Sequence, residues 1–137
     1  MQIGDNYIGS LVGAVMNGPQ WSSTAIFITY DDCGCFYDHV APPAGYGIRM
    51  PMVIVSPYAI AGHTDSNVAS YASMLAYVEH TFGIAALGAA DQNAYDYRQS
   101  FNYAQAPLAP VPMVSRSIPA AERRWIAQHP ADDDDPT

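Results

Sequence analysis

The chain has 137 residues, half of them hydrophobic and 13% charged, with no lysine and a formal net charge of −8. That length bounds it to about one domain, and the apolar share excludes a chain disordered by composition. An acidic surface with no basic patch excludes nucleic-acid phosphates as natural partners, and no apolar run reaches the ~18 residues that span a bilayer.

The N-terminal "MQIGDNYIGS" lacks the basic-then-apolar order of a signal peptide, so any export signal of a parent protein is expected outside this chain. Asp5 to Asn17 reads as a helix: Asp5 can cap it, and Ile8, Leu11, Val12, Val15 and Met16 form one apolar stripe. Gly18-Pro19 stops it. Thr24 to Tyr30 reads as a strand. Its continuous apolar run, Ile26, Phe27 and Ile28, suggests burial on both faces, as in a parallel α/β sheet. "APPAGYG" is loop, and Met52 to Val55 is a second strand, started by Pro51 and closed by Ser56-Pro57.

Asp65 or Ser66 can cap a helix from Val68 to Phe82, whose expected inward stripe is Val68, Tyr71, Met74, Leu75, Val78 and Phe82, with Gly83 just past its end. The tyrosines between Tyr71 and Tyr103 are expected in the core or at its rim. Residues 105–119 hold Pro107, Pro110, Pro112 and Pro119 and read as an extended wrap. A short helix, Ala120 to Gln128, precedes an acidic tail. The order helix, strand, loop, strand, helix is part of an α/β sandwich, with few parallel strands flanked by helices. Two strands are fewer than a sheet usually has, so a neighbour or a second copy is expected at the open sheet edges.

The densest chemistry is "TYDDCGCFYDHV", Thr29 to Val40, at the carboxyl end of the first strand, where ligand sites of open α/β sheets lie. Asp31 and Asp32 repel each other there unless a cation or proton lies between them. A divalent metal would resolve the conflict, with Asp38 and His39 near enough in sequence to contribute or support. The alternative is that the aspartates cap a turn while Asp38 and His39 bond each other across the loop. Cys33 and Cys35 are too close for an unstrained disulfide and too few for a thiolate metal site. His63 lies in a polar loop after the second strand, an edge where function collects. His80, near a helix C-terminus, suits the helix dipole, and His129 stands in the tail.

Asp31 to Val40 resembles the "DExxGxxDHV" motif of the phosphoesterase family of bacterial and plant phospholipases C and related acid phosphatases, with Asp32 for the glutamate and Cys35 for the glycine. "GIRMPMVIVSP", Gly47 to Pro57, is similar to that family's "GxRVPxxxxxP", with Met50 for valine. The likeness covers Gly4 to Tyr103. It implies an alkaline-phosphatase-like α/β fold, here a partial sandwich, with residues 1–104 as the C-terminal portion of a catalytic domain and 105–137 as wrap, helix and tail. It also implies hydrolysis of phosphate esters, small or on a phospholipid headgroup, with a divalent metal ion held by Asp31 and Asp32. Asp38 and His39 match the motif's "DH", as metal ligands, phosphate orienters or proton carriers. Arg49 matches the second motif's arginine; it either pairs with a carboxylate to pin the strand start or touches phosphate. His63 is a further candidate for substrate contact. The family's "ENRSFDH" and "TxPNR" motifs, the latter carrying the hydroxyl nucleophile, do not occur here. The chain is therefore expected to be a C-terminal fragment that holds one wall of the site, or else a catalytically inert remnant.

Overall fold

A computed structural model describes residues 2–32 and 38–129. Cys33 and Cys35, and the acidic run Asp132 to Asp135, lie outside the described residues. The chain forms two compact units: residues before Pro19 together with those after Ala109, and residues 19–109.

The first unit pairs the helix α1, Gln2–Met16, with the extended strap from Pro110 and the C-terminal helix, Ala120–Gln128. Asn6 clamps the strap: its Nδ2 donates to the Arg116 carbonyl at 2.8 Å and its Oδ1 accepts from the Arg116 amide at 2.9 Å. Gly13 makes room for the strap, since a Cβ there would stand 3.3 Å from Met113 Cγ. α1 ends where Asn17 folds its side-chain amide back onto the Gly13 carbonyl at 2.7 Å. Of its expected stripe, Val12 and Met16 are buried, while Ile8, Leu11 and Val15 are exposed.

The second unit is built on two strands, β1, Ile26–Thr29, and β2, Met52–Val55. They pair antiparallel, with Ile26 opposite Val55 and Thr29 opposite Met52. The parallel arrangement expected from the sequence is thus corrected. A parallel pair needs a crossover, usually helical, and the connection from Thr29 to Met52 contains no helix among the described residues. Thr29 Oγ1 donates to the Pro51 carbonyl at 2.8 Å and locks that end of the register. All four β1 residues are only half-buried and Val53 is exposed, so the full burial of both faces suggested by the apolar run is not reached.

The covering layer is aromatic. Phe27 meets Tyr77 edge-on at 5.0 Å and lies 5.5 Å from Tyr97, while Phe101 stacks on Tyr77 at 5.0 Å and on Tyr103 at 5.6 Å. Rings at such spacings add about 0.5–1.5 kcal/mol per pair beyond their area burial. Chain after Tyr97 is strapped to chain after β2 by Ile60 N to Ser100 O at 3.0 Å and Asn102 N to Tyr58 O at 2.8 Å.

The helix α2, Tyr71–Phe82, begins later than the sequence suggests. Ser70, not Asp65 or Ser66, is its cap residue, and the Ser73 hydroxyl accepts from the Ser70 amide at 3.0 Å. Gly83 closes it in the left-handed conformation, φ 65°, as a glycine just past a helix end should. Its inner face is Ser73, Ala76 and Glu79, all buried, whereas Tyr71, Leu75, Val78 and Phe82 are exposed, Phe82 at 74%. The apolar stripe therefore points outward. A short helix, α3, Ala89–Gln92, packs on α2. No described helix is long and apolar enough to cross a membrane.

Candidate functional site

Asp31 and Asp32 leave the end of β1 side by side, both exposed, with the Asp32 amide donating to Asp31 Oδ1 at 3.1 Å. Two features hold the strand end beneath them. Thr29 is tied to Pro51, as above. From α2, the Tyr71 hydroxyl donates to the Tyr30 carbonyl at 2.7 Å and lies 3.3 Å from Met50 Sδ. Tyr71 is thus the side chain that fixes the backbone from which the carboxylates emerge. Desolvation first, and then the charges of Asp31 and Asp32, push its hydroxyl above the ordinary tyrosine value, so it keeps its proton and remains a donor. Sequence reasoning assigned Tyr71 to the core or its rim. The signal that could have found it is its place in the first turn of a helix, with an aromatic long enough to reach a strand end.

Further along the chain, Arg49 grips Asp38 in a fork that closes the loop of residues 38–49: Nε to Oδ2 at 2.7 Å and Nη2 to Oδ1 at 3.0 Å. The Val40 amide also donates to Asp38 Oδ1 at 2.9 Å. The Arg49 hydrogen bond first, and then the Val40 amide, lower Asp38 to about 2. Asp38 is therefore ionised across the neutral range and engaged through both oxygens, which suits an anchor for the loop. Arg49, in turn held above its ordinary value by Asp38, keeps its remaining N–H groups outward on a side chain that is 53% exposed. His39 is exposed and its charge contributes to the field at Asp38. His63 is exposed on a turn after β2, its amide donating to the Ile60 carbonyl at 3.2 Å beside Gly62 at φ 70°. It enters neither the Arg49–Asp38 fork nor the Tyr71 bridge.

Adjacent carboxylates are the oxygen donors a hard divalent cation takes, so the pair fits such an ion in chemical type. In number it does not suffice: among the described residues no group of three His, Cys, Asp or Glu side chains could hold an ion. Any ion at Asp31 and Asp32 needs ligands from beyond these residues.

Two further aspartates are the strongest polar hubs: Asp65, expected from the sequence as a helix cap, and Asp96, given no role there. Asp65 accepts from Ser100 Oγ at 2.8 Å, from the Asn67 amide at 2.9 Å and from the Tyr95 hydroxyl. Burial pushes its carboxyl up, but the Tyr95, Asn67 and Ser100 bonds outweigh it and bring it to about 2. Asp96 is buried between Arg98, 2.8 Å, and His80, 2.7 Å. Burial acts upward there too, and the Arg98 and His80 bonds reverse it, again to about 2. Both hubs tie chain after α3 to earlier elements and serve the scaffold.

The model of the Phosphoesterase family matches residues 1–85. The chain belongs to this family. The matched span takes in Asp31, Asp32, Asp38, His39, Arg49, His63 and Tyr71. Among similar proteins, the non-hemolytic phospholipase C of Burkholderia pseudomallei is 31% identical over 107 residues, taking in 56% of this chain and 15% of the relative. Phospholipase C A of Mycobacterium tuberculosis is 25% identical over 133 residues, 74% of this chain and 26% of the relative. The non-specific phospholipase C6 of Arabidopsis thaliana is 27% identical over 110 residues, 60% of this chain and 21% of the relative. The chain thus spans between 15% and 26% of the length of these relatives.

Proposed function

We propose that this chain contributes one wall of a phosphoester hydrolase site of phospholipase C type, in an alkaline-phosphatase-like fold completed by polypeptide outside it. The observation that carries the reading is the placement of Asp31 and Asp32 together at a strand end that Tyr71 and Thr29 hold fixed, inside the family-matched span. Residues 1–104 are the catalytic portion and 105–137 the wrap. Asp31 and Asp32 hold a divalent cation together with ligands from elsewhere; a cation there polarises phosphoryl oxygens as a Lewis acid. Asp38 fixes the loop through Arg49, whose outward N–H groups face an anionic ester. His39, next to that anchor, is the candidate proton carrier, and His63 a candidate contact for substrate on the neighbouring loop. The nucleophile comes from outside these residues. Substrates are phosphate esters, either small or on a phospholipid headgroup.

The test is hydrolysis of a chromogenic phosphate ester and of a phosphocholine ester, by the longest polypeptide that carries this chain, with and without Asp32→Ala. A loss of about 100-fold or more in kcat supports the reading, as expected when a group that acts on the transition state is removed. Unchanged turnover removes Asp32 from the mechanism.

A second reading is favoured by a specific observation: Leu75, Val78 and Phe82 on α2 and Leu11 and Val15 on α1 are exposed. A chain with such uncovered faces is suited to be an inert remnant or a metal-binding or interaction module that self-associates. A monomeric chain of 137 residues that hydrolyses phosphate esters by itself contradicts this second reading.

A further inference from the structure

The last turn of α2 carries an acid where an apolar residue is expected. Glu79 is 5% exposed and faces Asp91 of α3, itself 3% exposed. The Leu87 amide reaches both carboxyl groups, Asp91 Oδ2 at 2.7 Å and Glu79 Oε1 at 3.3 Å, so the two lie against each other. Two buried carboxyl groups so placed require a proton on one partner. The amides decide which one. Leu87 N donates to Asp91 Oδ2 at 2.7 Å and Gly88 N to Asp91 Oδ1 at 2.9 Å, whereas Glu79 Oε1 receives only a long contact from Leu87 N at 3.3 Å. Asp91 is therefore the carboxylate and Glu79 the carboxylic acid. The ion pairs Arg49–Asp38, His80–Asp96 and Arg98–Asp96 include neither Glu79 nor Asp91. The titratable side chain next to Glu79 in the chain is His80, whose Nδ1 lies 2.7 Å from Asp96 Oδ2.

We propose that Glu79 and Asp91 form a pH-operated latch, in which one shared proton holds the Leu87–Gln92 segment against the last turn of α2 and its loss releases that segment. Burial first, then the Asp91 bond, raise Glu79 above 4.5; the Leu87 amide and His80 act the other way and do not prevail. The docking that the Glu79 proton provides is complete below 4.5 and is lost as pH rises through the raised value. Burial pushes Asp91 up, but the bonds from Glu79 and from the Leu87 and Gly88 amides bring it below 3.8. Its contribution is complete above 3.8 and is lost as pH falls through the lowered value. The latch is closed between those limits and opens on the alkaline side. Two ionised carboxylates that face each other, one 5% and the other 3% exposed, repel and cannot stay docked. Opening frees a segment that begins with Leu87, already exposed, next to the exposed Phe82 and Ile84.

The test is amide hydrogen exchange on the full chain from about pH 5 to about pH 9, corrected for the intrinsic base-catalysed rate. The Leu87 and Gly88 amides should lose at least about tenfold in protection across that range, while the Asn102 amide, bonded to Tyr58, keeps its own. The Glu79 carboxyl carbon should titrate at the same midpoint in the unaltered chain. Glu79→Gln, which keeps a donor and cannot ionise, should hold Leu87 protected throughout. A flat Leu87 profile, loss shared equally by Asn102, a carboxyl midpoint that does not coincide, or an undiminished pH response in Glu79→Gln each overturns the latch.

Discussion

Arg49 and Asp38 meet through two parallel hydrogen bonds, 2.7 and 3.0 Å, that close the loop of residues 38–49. A planar guanidinium matched to a carboxylate in this way sets orientation as well as distance, which a lysine cannot do. Arg49→Lys should therefore let Asp38 rise from about 2 toward its ordinary 3.8. Because the folded value is depressed, the contribution of this group to stability is present above 3.8 and lost as pH falls toward 2. Carboxyl-carbon titration by NMR checks this; a midpoint that stays near 2 in the variant contradicts it.

Asp65 is the scaffold's most connected carboxylate, taking bonds from Tyr95, Ser100 and Asn67. Asp65→Ala leaves those donors without their acceptor and should cost about 1–3 kcal/mol by urea denaturation. Loss below about 0.5 kcal/mol would place Asp65 among ordinary surface residues. With Asp65 and Asp96 both held near 2, the unaltered chain should keep its stability above 3.8 and lose it progressively as pH falls toward 2.

Leu75 and Val78 lie on the outward face of α2 with Tyr71 and Phe82. Such a face drives association in water, so the isolated chain should sediment above its 14.8 kDa monomer mass at about 50 μM. The double change Leu75→Gln with Val78→Gln should shift it toward monomer without unfolding it, since neither side chain is buried. Equal sedimentation of the two proteins would assign association elsewhere, the sheet edges being next in line.

These results also mark what the sequence could and could not convey. The strand Met52–Val55, the helix Ala120–Gln128 and the Gly83 stop were legible, because β-branched runs, proline entry and a left-handed glycine are local signals. The pairing direction was not, because a continuous apolar run reports burial and says nothing of the neighbouring strand's direction. The outward stripe of α2 escaped for a related reason: periodicity finds an apolar face without saying what lies against it. Here Ser73, Ala76 and Glu79 took the inner side, where Glu79 meets Asp91. That Arg49 pairs with a carboxylate was legible as one of two roles; that the carboxylate is Asp38 was not, since the sequence set Asp38 beside His39. The hubs at Asp65 and Asp96 were not, because the hydroxyl and guanidinium that complete them are contributed by loops whose course only the fold determines.

The central claim is that Asp31 and Asp32 grip a divalent cation. The most direct measurement is Mn²⁺ binding, followed by electron paramagnetic resonance, in the longest polypeptide that carries this chain, unaltered and with Asp31→Asn and Asp32→Asn together. The account predicts one bound ion whose affinity falls about 100-fold or more in the double variant, consistent with removal of two charged oxygen ligands. Binding that is equally tight in both proteins, or absent in the unaltered one, contradicts it.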